Sequence, residues 1–167
     1  MLPIKKLVLI ILICLPATGW CTNLKYALDV DINTADSKIT GYARLTSDTD
    51  LHIRLSVVNL QQLKIDADAI TTGSDKTIDL TIQKGKAVVI SYEVLFGDKQ
   101  TNIIEQSHVF LTENWYPQPH ALAEYALSVT LPKGFIAVSE SEAATVQNHD
   151  KTKTFHFRFR LIAVGSP

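Results

Sequence analysis

From Lys25 onward apolar and polar residues alternate with a period of two, the spacing that places successive side chains on opposite faces of a strand. Leu28, Val30 and Ile32 alternate with Asp29 and Asp31; Ile39, Gly41, Ala43 and Leu45 form the next set, and Leu51, Ile53, Leu55 and Val57 the one after. Leu63 and Ile65, then Ile78, Leu80 and Ile82, then Val88, Ile90, Tyr92 and Val94 continue the pattern. Polar segments at 33–37, 47–50, 72–75 and 84–85 separate these sets and carry the Asn, Asp, Ser and Gly residues that make turns. No window of helical length has a 3.6-residue period; the nearest, 140–146, has no apolar stripe. Short, evenly spaced strands joined by polar turns predict an all-β fold, an antiparallel β-sandwich or saddle, because a parallel sheet would need helical crossovers. The stretch 96–107, with Gly97, Asp98 and Lys99, reads as the longest loop.

The first residues follow a different rule. Met-Leu-Pro-Ile-Lys-Lys precedes a run without a polar residue from Leu7 to Leu15, and Pro16-Ala17-Thr18-Gly19 ends it. A short basic start, an apolar run of this length and small residues at Ala17 and Gly19 predict a secretory signal peptide over 1–19, with Trp20 starting the mature chain. A spanning helix needs about 20 apolar residues, so a retained anchor is the weaker reading. Lipidation at Cys21 is disfavoured by the bulky Trp20 before it. The expected location is extracytoplasmic, periplasmic or secreted, with no membrane contact beyond the signal peptide.

Both cysteines, Cys14 and Cys21, lie in or beside that segment, so the body of the chain has no internal disulfide and is held by its core. The remaining length, about 145 residues, suffices for one core, and 24–167 is read as one β-sandwich domain. Without Lys5 and Lys6 the 16 basic residues become 14 against 17 acidic, a net charge of −3 with no basic patch. Nucleic acid is therefore not an expected partner.

Chemistry-bearing motifs are missing. Zinc hydrolysis on a helix needs two His four residues apart with Glu after the first; His52, His108, His120, His149 and His156 satisfy neither condition. Asp29/Asp31 and Asp66/Asp68 each share a strand face and could chelate Ca²⁺, but alternation with apolar residues reads Asp29 and Asp31 as solvent-facing. Gly73-Ser74 lacks the second glycine of a nucleophile elbow. No catalytic residue, metal ligand or cofactor is assigned to this chain. Trp115 and Tyr116 are the candidate ligand-binding residues: an aromatic pair beside a loop stacks on a ligand or anchors a partner. The competing reading is that Trp115 fills the core of a small β-domain. Pro117 and Pro119 beside them are expected to block further sheet pairing.

Near the C-terminal end Phe155, Phe157, Phe159 and Leu161 alternate with His156, Arg158 and Arg160, a half-buried strand with its cations outward. Apolar sequence running almost to Pro167 suggests a chain cut inside a larger architecture, and predicts an unpaired apolar edge there.

Several segments, in order, carry a resemblance. They are Tyr26-Ala-Leu-Asp-Val-Asp-Ile, Ile39-Thr-Gly-Tyr-Ala-Arg-Leu, Val88-Val-Ile-Ser-Tyr-Glu-Val, Trp115-Tyr-Pro and Tyr125-Ala-Leu-Ser-Val-Thr-Leu-Pro. From 26 to about 159 the chain resembles the amino-terminal β-domain of M1-family zinc metallopeptidases, the aminopeptidase N and leukotriene A4 hydrolase group. The resemblance implies a non-catalytic sandwich or saddle that packs against a metallopeptidase catalytic domain and borders its peptide cleft. In the family, catalysis needs a later G-x-M-E-N segment and an H-E-x-x-H helix. This sequence has neither: its single Met is Met1, and zinc would belong to a catalytic domain outside it. A family Gln or Glu that helps hold the substrate amine lies near the place of Glu105-Gln106, where the match does not carry the role over. A truncated or split product is one expectation; a free-standing extracytoplasmic binding module is the alternative.

Overall fold

The computed structural model describes residues 24–72, 74–97, 102–139, 141 and 144–163. The expected signal peptide (1–19) lies outside them, as do Cys21 and the Gly73 of the expected turn. The described residues form thirteen strands: β1 (Leu24–Asn33), β2 (Lys38–Ser47), β3 (Leu51–Ser56), β4 (Gln61–Ile65), β5 (Asp68–Ala69), β6 (Thr77–Ile82), β7 (Ala87–Leu95), β8 (Ile103–Ile104), β9 (Val109–Phe110), β10 (Gln118–Pro119), β11 (Leu122–Pro132), β12 (Ala144–Asn148) and β13 (Thr152–Ala163). The described residues contain no helix, and the all-β expectation holds.

An eight-stranded sheet runs β12-β13-β11-β1-β2-β7-β4-β5, a three-stranded sheet runs β10-β3-β6, and β8 and β9 form a two-stranded pair. Alternation places the strands as the sequence predicts. In β1, Leu24, Tyr26, Leu28, Val30 and Ile32 are buried, while Asp29 and Asp31 are exposed. Ile39, Ala43 and Leu45 of β2 and Ile90, Tyr92 and Val94 of β7 continue that face; Ile53, Leu55 and Ile82 of the small sheet belong to the same core. Each fully buried aliphatic side chain, such as Leu55, contributes about 2 kcal/mol of transfer free energy.

Several details differ from expectation. β1 and β11 are parallel, Lys25 opposite Glu124 through Asp31 opposite Thr130, so the sheet is mixed. The strands between them supply the long crossover that a parallel pair requires, so no helix is needed. Pro119 does not end pairing: it sits opposite Leu55 in β10, an edge strand of the small sheet, where a missing N–H is tolerated. The region read as the longest loop contains β8, paired Ile103 to Phe110 with β9; residues 98–101 lie outside the described part. Part of the C-terminal strand β13 is covered on both sides, while beyond Phe157 no strand among the described residues pairs on its β12 side, where an apolar edge is expected. The strand pairs with β11 from Pro132–Thr152 to Leu122–Ala163, and with β12 over Lys153–Phe157.

The β4–β5 connection is a two-residue turn, with Ile65 opposite Asp68. Both of its residues have positive φ, Asp66 at 48° and Ala67 at 79°. Asp66 is well suited there, since its carboxylate accepts the Val89 N–H at 2.9 Å. Ala67 has no such compensation, and its Cβ is strained in left-handed backbone. Ala67→Gly is therefore expected to stabilise the fold by about 0.7 kcal/mol, the relief of strain exceeding the added chain entropy of glycine. A rise in urea midpoint at unchanged m checks this; a fall would show that the turn is not strained.

Candidate functional site

The segment before β11 is built around a buried asparagine. Asn102, 4% exposed, donates from Nδ2 to the Glu113 carbonyl at 2.6 Å. Its Oδ1 accepts the Thr112 N–H at 2.6 Å and the Thr112 hydroxyl at 3.2 Å. One amide side chain thus clamps the stretch that leads, through Asn114 at φ 56°, into Trp115 and Tyr116. A single Asn in a polar stretch carries no period or motif, so the sequence gives no sign of this role.

Beyond the clamp the chain is tied to the large sheet. The hydroxyl of buried Tyr26 donates to the Pro117 carbonyl at 2.6 Å, linking β1 to the aromatic corner. Three tyrosines and the tryptophan sit about this tie. The rings of Trp115 and Tyr116 lie 4.7 Å apart at 61°, and those of Tyr26 and Tyr125 4.8 Å apart at 44°. Tyr116 is 6.3 Å from Tyr26 and 6.4 Å from Tyr125, both edge to face. Such geometry adds to simple area burial, because ring edges meet ring faces of opposite partial charge.

Burial holds these phenols neutral. Desolvation pushes Tyr26 and Tyr92 well above the usual tyrosine value, and raises Tyr116 and Tyr125 too. In the unfolded chain the same groups lose their protons near pH 10. Between that value and the higher folded one, the unfolded state binds fewer protons than the folded state. Stability is therefore fully present below about pH 10 and falls as pH rises beyond it. Alkaline unfolding above pH 10 is expected to coincide with a step in tyrosinate absorbance. A gradual, ordinary tyrosine titration with unchanged far-ultraviolet dichroism would contradict it.

Beside this cluster lies an open, largely apolar groove of about 1210 Å³. Trp115, Tyr116 and Phe110 form one wall; Leu127 of β11 with Phe157 and Phe159 of β13 form the floor. The third side is the extended segment 134–139. In it Phe135 and Ala137 are half-buried, whereas Ile136 and Val138 are 80% and 88% exposed. Trp115 is 9% exposed and belongs to the core, and with half-buried Tyr116 it also walls the groove.

The other sequence candidates are dispersed. Asp29 and Asp31 face solvent, Asp66 is engaged in its turn, and Asp68 is exposed on β5. His52 bonds the Thr81 hydroxyl, His156 the Ser128 hydroxyl and His149 the Thr154 hydroxyl, all through cross-strand or turn contacts. Glu105 lies in the β8–β9 turn with its carboxylate 3.6 Å from His108 Nδ1, and Gln106 lines the groove. Among the described residues no three His, Cys, Asp or Glu side chains are grouped closely enough to hold a metal ion.

No protein-family model matches the sequence, and no curated protein matches it. Solved structures match in fold. The M1 zinc metallopeptidase from Deinococcus radiodurans, 14% identical, aligns at a TM-score of 0.53 over 81% of this chain and 39% of that one. A point mutant of that enzyme gives the same values, and the mutant bound to a Tyr-Ser-Ala substrate gives 0.50. The resemblance read from the sequence is thus present in the fold, that of an M1 peptidase-like β-domain. The chain spans 39% of the length of the enzymes it matches.

Proposed function

We propose that this chain is the non-catalytic β-domain of an M1-like metallopeptidase, a truncated or split product that packs against a catalytic domain and borders its peptide cleft. The observation that carries this reading is the fold match over 81% of the chain to enzymes more than twice its length. The groove and the ridge of Ile136 and Val138 give it a docking face, since exposed apolar side chains in a cluster mark interaction sites. The chain contributes shape and binding surface; zinc and the hydrolytic groups reside in the catalytic domain. Its place of action is extracytoplasmic, after removal of 1–19, supported by the basic, apolar and small-residue order of the leader.

The genomic sequence beyond the codon for Pro167 tests this directly. An H-E-x-x-H in the same or a shifted frame supports the reading, and an unrelated sequence after an intact stop opposes it. The purified chain is expected to retain no stoichiometric zinc and to leave amino-acid arylamides intact, as catalytic zinc takes three protein ligands and an open position. Zinc by elemental analysis together with chelator-sensitive hydrolysis would sink the proposal.

A second reading, a free-standing extracytoplasmic binding module, draws on the same groove, whose aromatic wall suits an apolar ligand or partner. Ile136→Glu with Val138→Glu is expected to change stability by less than about 0.5 kcal/mol, because both side chains stand in solvent. A large loss on urea unfolding would show that the ridge is part of the core instead.

A further inference from the structure

We propose that the extended segment 134–139 is a processing site, cut between Val138 and Ser139 by a serine endopeptidase whose specificity pocket takes small aliphatic side chains, and that the nicked chain stays folded. Endopeptidase clefts take their substrate as an added strand: main-chain hydrogen bonds hold its backbone, and pockets receive alternate side chains. A native chain is cut fastest where its backbone is already extended, unpaired and turned to solvent, since little structure has to open first.

The segment 134–139 meets those conditions. It is tied at both ends: the Phe135 N–H donates to the Pro132 carbonyl at 3.0 Å, and the Ser141 hydroxyl donates to the Arg158 carbonyl at 2.9 Å while accepting the Arg158 N–H at 3.2 Å. Between these anchors Ile136, Ala137 and Val138 belong to no strand and make no backbone hydrogen bond among the described residues. Phe135 and Ala137 turn inward, whereas Ile136 and Val138 are the most exposed of the described large apolar side chains. Two outward side chains at alternate positions match two pockets of a cleft: Val138 fills the one before the scissile bond, and Ile136 the next. Other connections are curved and bonded. The Asn33 side chain accepts the Ala35 and Asp36 N–H groups, Asp50 holds the Lys84 N–H, and 66–67 is a two-residue turn. None of these three can lie flat in a cleft without unfolding.

Hydrolysis adds one water across the Val138–Ser139 peptide bond and leaves a carboxylate on Val138 and an ammonium on Ser139. The cut does not detach the C-terminal piece. β13 stays in register with β11 from Pro132–Thr152 to Leu122–Ala163, and buried Phe155 and Phe157 stay in the core. The groove is what changes: 134–138 becomes a free end, and the wall it forms beside Leu127, Phe157 and Phe159 is released. Cleavage therefore widens the groove and leaves the sheet intact.

Limited digestion of the full chain by an elastase-type serine endopeptidase, read by mass spectrometry, tests the proposal. The expected first product is a chain nicked after Val138, whose two pieces separate in denaturant yet elute together, at the parent volume, in native gel filtration. Val138→Glu is expected to slow this cut at least about tenfold, because an apolar pocket excludes a charge. Its melting temperature should stay at the parent value, since the side chain stands in solvent. Gly41→Ala separates cutting of the folded segment from cutting after global unfolding. Its expected loss of stability raises the unfolded population about a hundredfold, yet the nicking rate should stay within about twofold of the parent. A first cut elsewhere, a chain that resists digestion, pieces that part without denaturant, or a rate that follows the hundredfold rise overturns the proposal.

Discussion

Gly41→Ala is expected to lower the unfolding free energy by about 3 kcal/mol, the upper part of the range for overpacking a core. Gly41 lies in β2 between Val30 of β1 and Tyr92 of β7. It faces the core, and a Cβ there would enter the space of the Tyr92 ring, against Cζ, Oη and Cε1. Tyr92 is 1% exposed, so its ring cannot swing into solvent to make room. Its hydroxyl has no hydrogen-bond partner among the described residues, which leaves packing alone to hold the ring. Gly41 is thus required by close approach of an aromatic ring, in a strand where glycine otherwise weakens pairing. The clash is specific, so Tyr92→Leu should cost stability alone yet recover much of the Gly41→Ala loss when combined with it. Urea unfolding of the four-member cycle measures this. Additive losses would show that the alanine is accommodated by backbone movement and not by contact with Tyr92.

The fold was legible where side chains alternate, and less so where long-range pairing decides. Every apolar set named from the period became a strand, because a half-buried strand needs one apolar face whatever it pairs with. The parallel β1–β11 pair was not legible, since alternation reports which face is buried and says nothing of strand direction. Pro119 misled for a related reason: its missing N–H forbids a central position, whereas the structure gives it an edge. At the site, Trp115 and Tyr116 stood out by residue type, but their supports did not. Asn102 and the Tyr26 hydroxyl act across 11 and 91 residues of sequence, distances over which no local pattern survives. The two-sided apolar character of 134–138 was visible only once Phe135 and Ala137 were found turned inward and Ile136 outward.

Trp115→Ala is expected to cost about 4 kcal/mol, within the range for truncating a buried aromatic. The indole is 9% exposed and packs edge to face against Tyr116, which in turn meets Tyr26 and Tyr125. Its removal leaves a cavity continuous with the groove and takes one support from the chain between the Asn102 clamp and the Tyr26–Pro117 bond. The magnitude separates the two readings of the aromatic pair. A tryptophan standing in solvent as a stacking platform would cost less than about 0.5 kcal/mol on truncation. Tyr116, half-buried at the groove wall, should fall between these limits. Far-ultraviolet dichroism in guanidinium is the suitable measure, because the variant keeps only Trp20 as an indole reporter. A Trp115→Ala protein as stable as the parent would place the indole outside the core, and the groove would lose the rigid wall on which both functional readings depend.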